Sequence, residues 1–183
     1  MIVTEEYMSP CGGLLLGSYG DSLCLCDWTC RRDADRVLQR LQRYLNTGIT
    51  CGSTPVTAEA RQQLDEYFAG RRRVFSVPLL TAGTTFQKNV WQALQNIGYG
   101  STASYRDIAL TVGKPSAVRA AASAIGTNAL SIFIPCHRIV GTDGTLTGYA
   151  GGLPAKRHLL ALEHPAAELA PVSAKFLKSG NLI

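Results

Sequence analysis

Ile132-Phe133-Ile134-Pro135-Cys136-His137-Arg138-Ile139-Val140 is the stretch on which the reading of this chain turns. An apolar, β-branched run leads into a proline, a Cys-His pair and an arginine, after which the chain turns apolar again. Such runs read as buried strands, so the cysteine is expected between two buried segments that fix its geometry. Cysteine attacks as the thiolate, and its free pKa of about 8.5 means that a neighbouring base or cation helps at neutral pH. His137 and Arg138 are placed to give that help. A Cys-His dipeptide by itself is most often a small core residue beside another residue, so the surrounding sequence decides.

On the N-terminal side of this run, Phe86, Val90, Trp91, Leu94 and Ile97 recur at helical spacing from Thr85, with Gly98 as the stop. Ser104-Tyr105-Arg106-Asp107 fits a capping box that opens a helix burying Ile108 and Val112, and Gly113 ends it. Lys114-Pro115 makes a turn, Ser116 caps a second helix over Ala117–Ile125, and Gly126 stops it. Two short helices joined by a tight glycine-containing turn fit a helix-turn-helix. The second helix is made of small residues, and Arg119 is its one charged side chain. A surface of that kind, with Ser116, Ala120 and Ala121 beside Arg119, lets a helix backbone approach a duplex closely. On the C-terminal side, Ala155–Glu163 reads as a helix with Pro154 near its first turn.

The N-terminal part, from Met1 to about Arg73, reads as a small α/β unit. Gly13–Gly17 and Leu23–Trp28 are strands joined by a hairpin at Gly20-Asp21-Ser22. Asp33 or Asp35 caps a helix with Val37, Leu38, Leu41 and Leu45 on one face, ending near Gly48. Thr57 caps another that buries Leu64 and Phe68 and stops at Gly70. Arg71-Arg72-Arg73 either touches phosphate or is a solvated turn before a strand over Val74–Leu80.

With 183 residues the chain can form one mid-sized domain or two small packed ones, and 46% hydrophobic against 17% charged residues argues for a proper core. A net charge of +5 is compatible with an anionic partner such as nucleic acid. No apolar run is long enough for a membrane helix, and the first residues lack the pattern of a secretion signal. A cytoplasmic setting with six free thiols is therefore expected. Cys24, Cys26 and Cys30 lack the spacing of a strong zinc site, and no histidine precedes His137, so no metal is expected.

The Pro-Cys-His-Arg-Ile-Val run, with Gly148-Tyr149-Ala150-Gly151-Gly152 beyond it, resembles the O6-alkylguanine-DNA alkyltransferases, also called methylated-DNA–protein-cysteine methyltransferases. The likeness runs without gaps from about Gly83 to Glu163 and more loosely over the N-terminal part. It implies an α/β (α+β) fold: a ribonuclease-H-like scaffold over 1–80, a mainly helical DNA-binding and alkyl-transfer part over 81–165, and a tail over 166–183. The implied activity is direct damage reversal on double-stranded DNA carrying O6-alkylguanine, with O4-alkylthymine as a candidate second lesion. The nucleotide is flipped out and its alkyl group moves irreversibly to the protein's own cysteine. No cofactor, membrane or obligatory protein partner is implied, and a monomer is expected.

The resemblance also implies roles. Cys136 is the nucleophile, His137 the base acting through a water, and Glu163 the group that holds the histidine tautomer. Asn128 braces the turn between the second helix and the cysteine strand, where Ala129 replaces the family's usual proline. Tyr105 crowds the target phosphate, and Arg119 fills the gap left by the flipped nucleotide. Tyr149, Ala150, Gly151, Ile125, Ile139 and Pro135 line the guanine pocket, small residues after Tyr149 suiting close approach to a flat base. The alternatives are a lesion sensor that only flags damage for other repair, a cysteine hydrolase and a helix-turn-helix regulator. Cys136 argues against the first. The second lacks the local signatures of the papain-like and caspase-like enzymes. The third, in larger relatives, rests on an added metal-binding part for which this chain is too short.

Overall fold

The computed structural model describes residues 1–164; the tail over 166–183 lies outside the described residues. Three strands run in antiparallel succession, β1 (Ile2–Ser9), β2 (Gly12–Tyr19) and β3 (Ser22–Trp28), and a short β4 (Ile49–Cys51) joins β1 in parallel, giving the order β3-β2-β1-β4. β1 was not apparent in the sequence because Glu5 and Glu6 interrupt its apolar pattern; Glu5 is paired with Arg61 and Ser53. Between β2 and β3 the register passes from Gly17↔Leu25 to Ser18↔Leu23, leaving Cys24 as the extra residue of a bulge. The bulge resets the alternation, so Leu23, Cys26 and Trp28 join the main core cluster while Cys24 and Leu25 join a second cluster with α1 (Ala34–Leu45).

Helix α1 follows Asp33, whose side chain makes no cap bond because Arg31 engages it, and it ends in left-handed Asn46 rather than at Gly48. Helix α2 (Pro55–Phe68) is capped by Thr54, not Thr57; Thr57 is its reciprocal partner three residues on, and a proline starts the first turn. Gly70, at φ +72°, takes up the left-handed stop. Residues 74–80 form no strand. Leu79 makes only an isolated bridge to Leu23, and the segment runs along β3 through bonds from Leu23 N to Pro78 O and from Leu80 N to Leu23 O. Ala129–Ser131 covers the same edge further along, with Cys26 N to Ala129 O at 2.8 Å and Ser131 N to Cys26 O at 2.7 Å. The exposed edge that a β-strand would otherwise offer is thus closed by the segment that leads into the C-terminal half and by Ala129–Ser131 within it.

That half comprises α3 (Thr85–Gln95), a two-residue β5 (Ala103–Ser104), α4 (Tyr105–Thr111), α5 (Val118–Gly126), β6 (Ile139–Val140) and α6 (Gly152–Glu163). α3 opens with a capping box on Thr84, and the Ser104–Asp107 box opens α4 as the spacing predicted. α5 begins one residue later than expected, with Ala117 as its N-cap residue and no side-chain cap; Ser116 caps nothing. Trp91 Nε1 donates to Ala124 O at 2.9 Å, locking α3 to α5.

Two arginines of the N-terminal half grip the carbonyls that end α5. Arg31 donates to Gly126 O at 2.7 Å and Asn128 O at 3.0 Å, and Arg40 to Thr127 O at 2.6 Å. Cations belong there, because the carbonyl end of a helix is its negative pole. Arg31 is buried and paired with buried Asp27 at 2.9 Å. Arg31→Ala is therefore expected to leave Asp27 as an unpaired buried charge and to cost about 3–5 kcal/mol. Urea denaturation checks this, and an unchanged midpoint would show that the pair holds nothing.

Candidate active site

Cys136 does not sit on a strand. The apolar run before it is too tightly wound: Phe133 N bonds Ser131 O at 2.9 Å around Ile132, whose φ is +73°. This is the strained form of the γ-turn, and a β-branched residue is the least suited to it. Pro135, at φ −79° and ψ 63°, makes the relaxed inverse form, with Cys136 N on Ile134 O at 2.8 Å. Cys136, His137 and Arg138 then form a single 3-10 turn. Two reversals within four residues aim three successive side chains in different directions, which a pleated strand cannot do.

Asn128 is bound on three sides. Its Oδ1 accepts from Leu130 N at 2.9 Å, and its Nδ2 donates to Ile134 O at 2.9 Å and to Cys136 Sγ at 3.2 Å. It touches the thiol directly as well as bracing the turn. Ala129, in place of proline, is held by its carbonyl bond to β3 and packs in the second core cluster.

His137 is fully buried, with Nε2 2.9 Å from Glu163 Oε1. A carboxylate partner puts the hydrogen on Nε2 and leaves Nδ1 as the basic nitrogen. Nδ1 is buried and has no hydrogen-bond partner among the described residues. Burial pushes the imidazole pKa below its ordinary value despite Glu163.

Glu163, on sequence an ordinary surface carboxylate, is buried at 4% exposure. Oε1 accepts from His137, Arg138 Nη2 at 2.9 Å and Tyr67 Oη at 2.8 Å; Oε2 accepts from Arg138 Nε at 2.8 Å and Gly100 N at 3.2 Å. Burial opposes its charge, but the His137 and Arg138 hydrogen bonds outweigh it and hold the carboxyl well below the usual range.

Arg138 therefore does not assist the thiol, as its sequence position suggested. Its guanidinium is engaged by Glu163 and by Ile97 O. The thiol pKa is raised by burial, which outweighs the bond from Asn128 and the more distant charges of Lys156 and Arg31. The resting pair is a thiol beside a neutral imidazole.

Lys156, unremarked in the sequence, is fully buried, donating to Ile139 O and to Thr147 O at 2.9 Å, and burial lowers its pKa to about 8. Trp28, also unremarked, donates to Tyr149 Oη at 3.1 Å and meets its ring edge-on at 5.9 Å. A Cβ on Gly151 would fall 2.5 Å from the Trp28 indole. Gly151 therefore packs closely against the Trp28 ring. Tyr149 and Ala150 are half-buried, Pro135 and Ile125 are buried beside Cys136 in the chain and at the end of α5, and His137 lies 6.4 Å from Tyr149 ring to ring. Ile139 is fully buried in the main core cluster and pairs with Ala103.

Tyr105 is half-buried and bonded to Thr147 Oγ1 at 2.8 Å. On α5, Arg119, Ala120 and Ser123 are exposed, as is Ser116 before it; Arg119 makes no hydrogen bond or ion pair among the described residues. Ala121, expected on this face, is fully buried. At 3.6 residues per turn, outward positions 116, 119, 120 and 123 force 121, 124 and 125 inward, and Ser123 takes the place that the composition suggested for Ala121.

Residues 2–81 match the 6-O-methylguanine DNA methyltransferase ribonuclease-like domain, and residues 85–165 match the 6-O-methylguanine DNA methyltransferase DNA binding domain. The chain is 44% identical over 158 residues to the methylated-DNA–protein-cysteine methyltransferase of Haemophilus influenzae, covering 86% of this chain and 83% of that one. It is 56% identical over 111 residues to the constitutive methyltransferase of that name from Bacillus subtilis, covering 60% of this chain and 67% of the relative. Among solved structures, Mycobacterium tuberculosis OGT in complex with DNA superposes with a TM-score of 0.77 at 39% identity, over 89% of this chain and 93% of that one. The chain belongs to the 6-O-methylguanine DNA methyltransferase family.

His137 and Glu163 both bind the proton more weakly in the folded chain than in the unfolded one. The unfolded chain therefore takes up protons first, and the stability the pair contributes falls as pH drops below about 6.5 for the histidine and about 4.5 for the carboxylate. Glu163→Gln is expected to leave Arg138 without its counter-charge, costing about 3–5 kcal/mol at neutral pH, and to remove the carboxylate's loss of stability below about pH 4.5 while leaving that of His137 in place. Chemical denaturation at several pH values checks both effects; a wild-type profile would show that the network contributes nothing.

Proposed function

We propose that this protein repairs O6-alkylguanine in duplex DNA by single-turnover transfer of the alkyl group to Cys136. The observation that carries the proposal is a buried thiol held by Asn128, next to a neutral histidine whose free Nδ1 is set by Glu163. This site stands on a helix pair with a small-residue outer face and an unengaged Arg119. A lesion at the O6 of guanine is inaccessible inside a duplex, so the nucleotide must first rotate out, at a cost of a few kcal/mol. Arg119 fills the vacated space, with Ser116, Ala120 and Ser123 letting the helix backbone lie close. Tyr105 stands at the target phosphate. Tyr149, Ala150, Gly151, Ile125 and Pro135 surround the flipped base.

The thiol proton passes through a water to His137 Nδ1, the sulfur attacks the alkyl carbon in line, and the carbon–oxygen bond breaks. Guanine leaves with the bonding electron pair and takes up a proton. This follows the general order of nucleophile, base and orienting acid. Asn128 Nδ2 stabilises the developing thiolate. The product thioether is stable, so each molecule acts once and the protein itself is the acceptor. In this reading residues 1–80 are the scaffold, residues 81–165 bind DNA and carry the chemistry, and the protein acts as a cytoplasmic monomer.

Incubation with an O6-methylguanine oligonucleotide is expected to add one methyl group per chain, mapped to Cys136 by mass spectrometry. Cys136→Ala should abolish transfer while retaining lesion binding; transfer by that variant would overturn the assignment. Arg119→Ala should slow repair of the duplex by about tenfold or more, the cost of losing a side chain that compensates unstacking, while reaction with free O6-methylguanine base is unchanged. Equal losses on both substrates would remove its void-filling role.

A further inference from the structure

From the N-terminal half, one side chain reaches the Glu163 carboxylate. Tyr67, in the last turn of α2, donates its phenolic hydrogen to Glu163 Oε1, the same oxygen that His137 Nε2 engages. The ring is 1% exposed and fixed by Phe68, Phe75 and Tyr99 at centroid distances of 5.3, 5.4 and 6.2 Å. A tyrosine needed only to fill this aromatic cluster could be phenylalanine. Its hydroxyl is buried and aimed at a carboxylate that already receives four other hydrogen bonds.

We infer that Tyr67 is a positioning residue for alkyl transfer: it fixes and weakens the acceptor oxygen of Glu163, and so sets the basicity and tautomer of His137. The inference rests on the transfer reaction proposed above and extends its relay by one member drawn from the half read as scaffold. The physical reason is competition. An oxygen that accepts from Tyr67 has less electron density to offer His137 Nε2–H, which keeps the imidazole a weaker base. Without the phenol, Oε1 binds the imidazole N–H more strongly and favours the protonated ring. The same loss lets the carboxylate rotate, loosening the direction of Nδ1 toward the thiol.

The other charged and titratable groups around the pair are Arg138 of the 3-10 turn, Lys156 of α6, Tyr99 between α3 and β5, Tyr149 before α6, and Cys136 itself. Tyr67→Phe replaces none of these groups and keeps the ring packing. A change in pH response can then be assigned to the hydroxyl.

The experiment is single-turnover methyl transfer from an O6-methylguanine duplex, followed from acid to alkaline pH for the wild type and Tyr67→Phe, with duplex affinity measured in parallel. The variant is expected to bind the duplex as the wild type does and to react about tenfold more slowly at its plateau, the effect of one hydrogen bond to a charged group. The acid limb of its rate profile should move upward by roughly half a pH unit. A wild-type rate and limb would overturn the inference, as would a slower reaction with an unmoved limb, which would reduce Tyr67 to packing. Failure of the wild type to transfer at all would instead sink the proposed reaction.

Discussion

A buried carboxylate with five hydrogen bonds is the constraint on which this structure depends. Glu163 joins the end of α6 to the cysteine turn through His137 and Arg138, to α2 through Tyr67, and to the segment before β5 through Gly100. A carboxylate brought in from water carries a penalty of several kcal/mol, and it stays ionised inside only when every lone pair is met. Arg138 supplies the compensating charge in a two-pronged geometry, which the rigid guanidinium fork favours. The remaining donors then fix the orientation of the carboxylate. Because they come from three other segments, a shift of any one is felt at the histidine.

The cysteine turn is the opposite case, a place where local preference is overruled. Ile132 stands at φ +73° although its branched side chain disfavours that region, and it does so at 1% exposure. Strain of about 1–3 kcal/mol at such a residue persists only where the surroundings over-determine it. Here they do. Asn128 ties both ends of the reversal, bonding Leu130 N on one side and Ile134 O and the cysteine sulfur on the other. The edge of β3 holds Ala129 and Ser131, and the two arginines hold the carbonyls just upstream. Rigidity at a turn that usually carries proline is thus obtained from hydrogen bonds around Ala129.

These two features mark the limit of what could be read from residues alone. The helices, the left-handed stops at Gly70 and Gly113 and the Ser104–Asp107 cap were legible because each rests on contacts within a few residues, whereas α1 ends at Asn46, α3 ends before Gly98 and α5 includes Gly126. The identities of Cys136, His137, Asn128 and Glu163 were legible from the resemblance, since their spacing by itself carries no periodic signal. The structure of the turn was not. A β-branched run reads as a strand, and the reversals are held by side-chain bonds of Asn128 that have no periodic signature together with contacts more than ninety residues apart, such as Arg31 to Asn128. Trp28, Tyr67 and Lys156 escaped for a related reason: each looks like an ordinary core or surface residue until the chain folds its polar tip toward the site. Ala121 was misplaced because composition was read where periodicity decides. In α5 nearly every residue is small, so size could not distinguish the inner face from the outer one.

The electrostatics of the site follow from its burial. A thiolate at rest would be paired with an imidazolium, as in hydrolytic cysteine enzymes that turn over repeatedly. Here burial raises the thiol and lowers the imidazole, so the proton stays on sulfur until something changes the environment. In a protein whose cysteine reacts once, a resting thiol has an advantage: the neutral form is the poorer nucleophile toward adventitious electrophiles and oxidants. In the proposed reaction, entry of a flipped base supplies the change. The departing oxygen gains negative charge as the sulfur loses its own, so the site never has to hold a full thiolate in isolation. In that proposal Asn128, which donates to the sulfur, and Nδ1 of His137, backed by Glu163, meet the charge as it moves. The fields of Lys156 and Arg31 lower the thiol pKa by less than burial raises it, and they favour the anion once it begins to form. Reactivity is thereby made conditional on occupancy, with the carboxylate network as the fixed part and the substrate as the trigger.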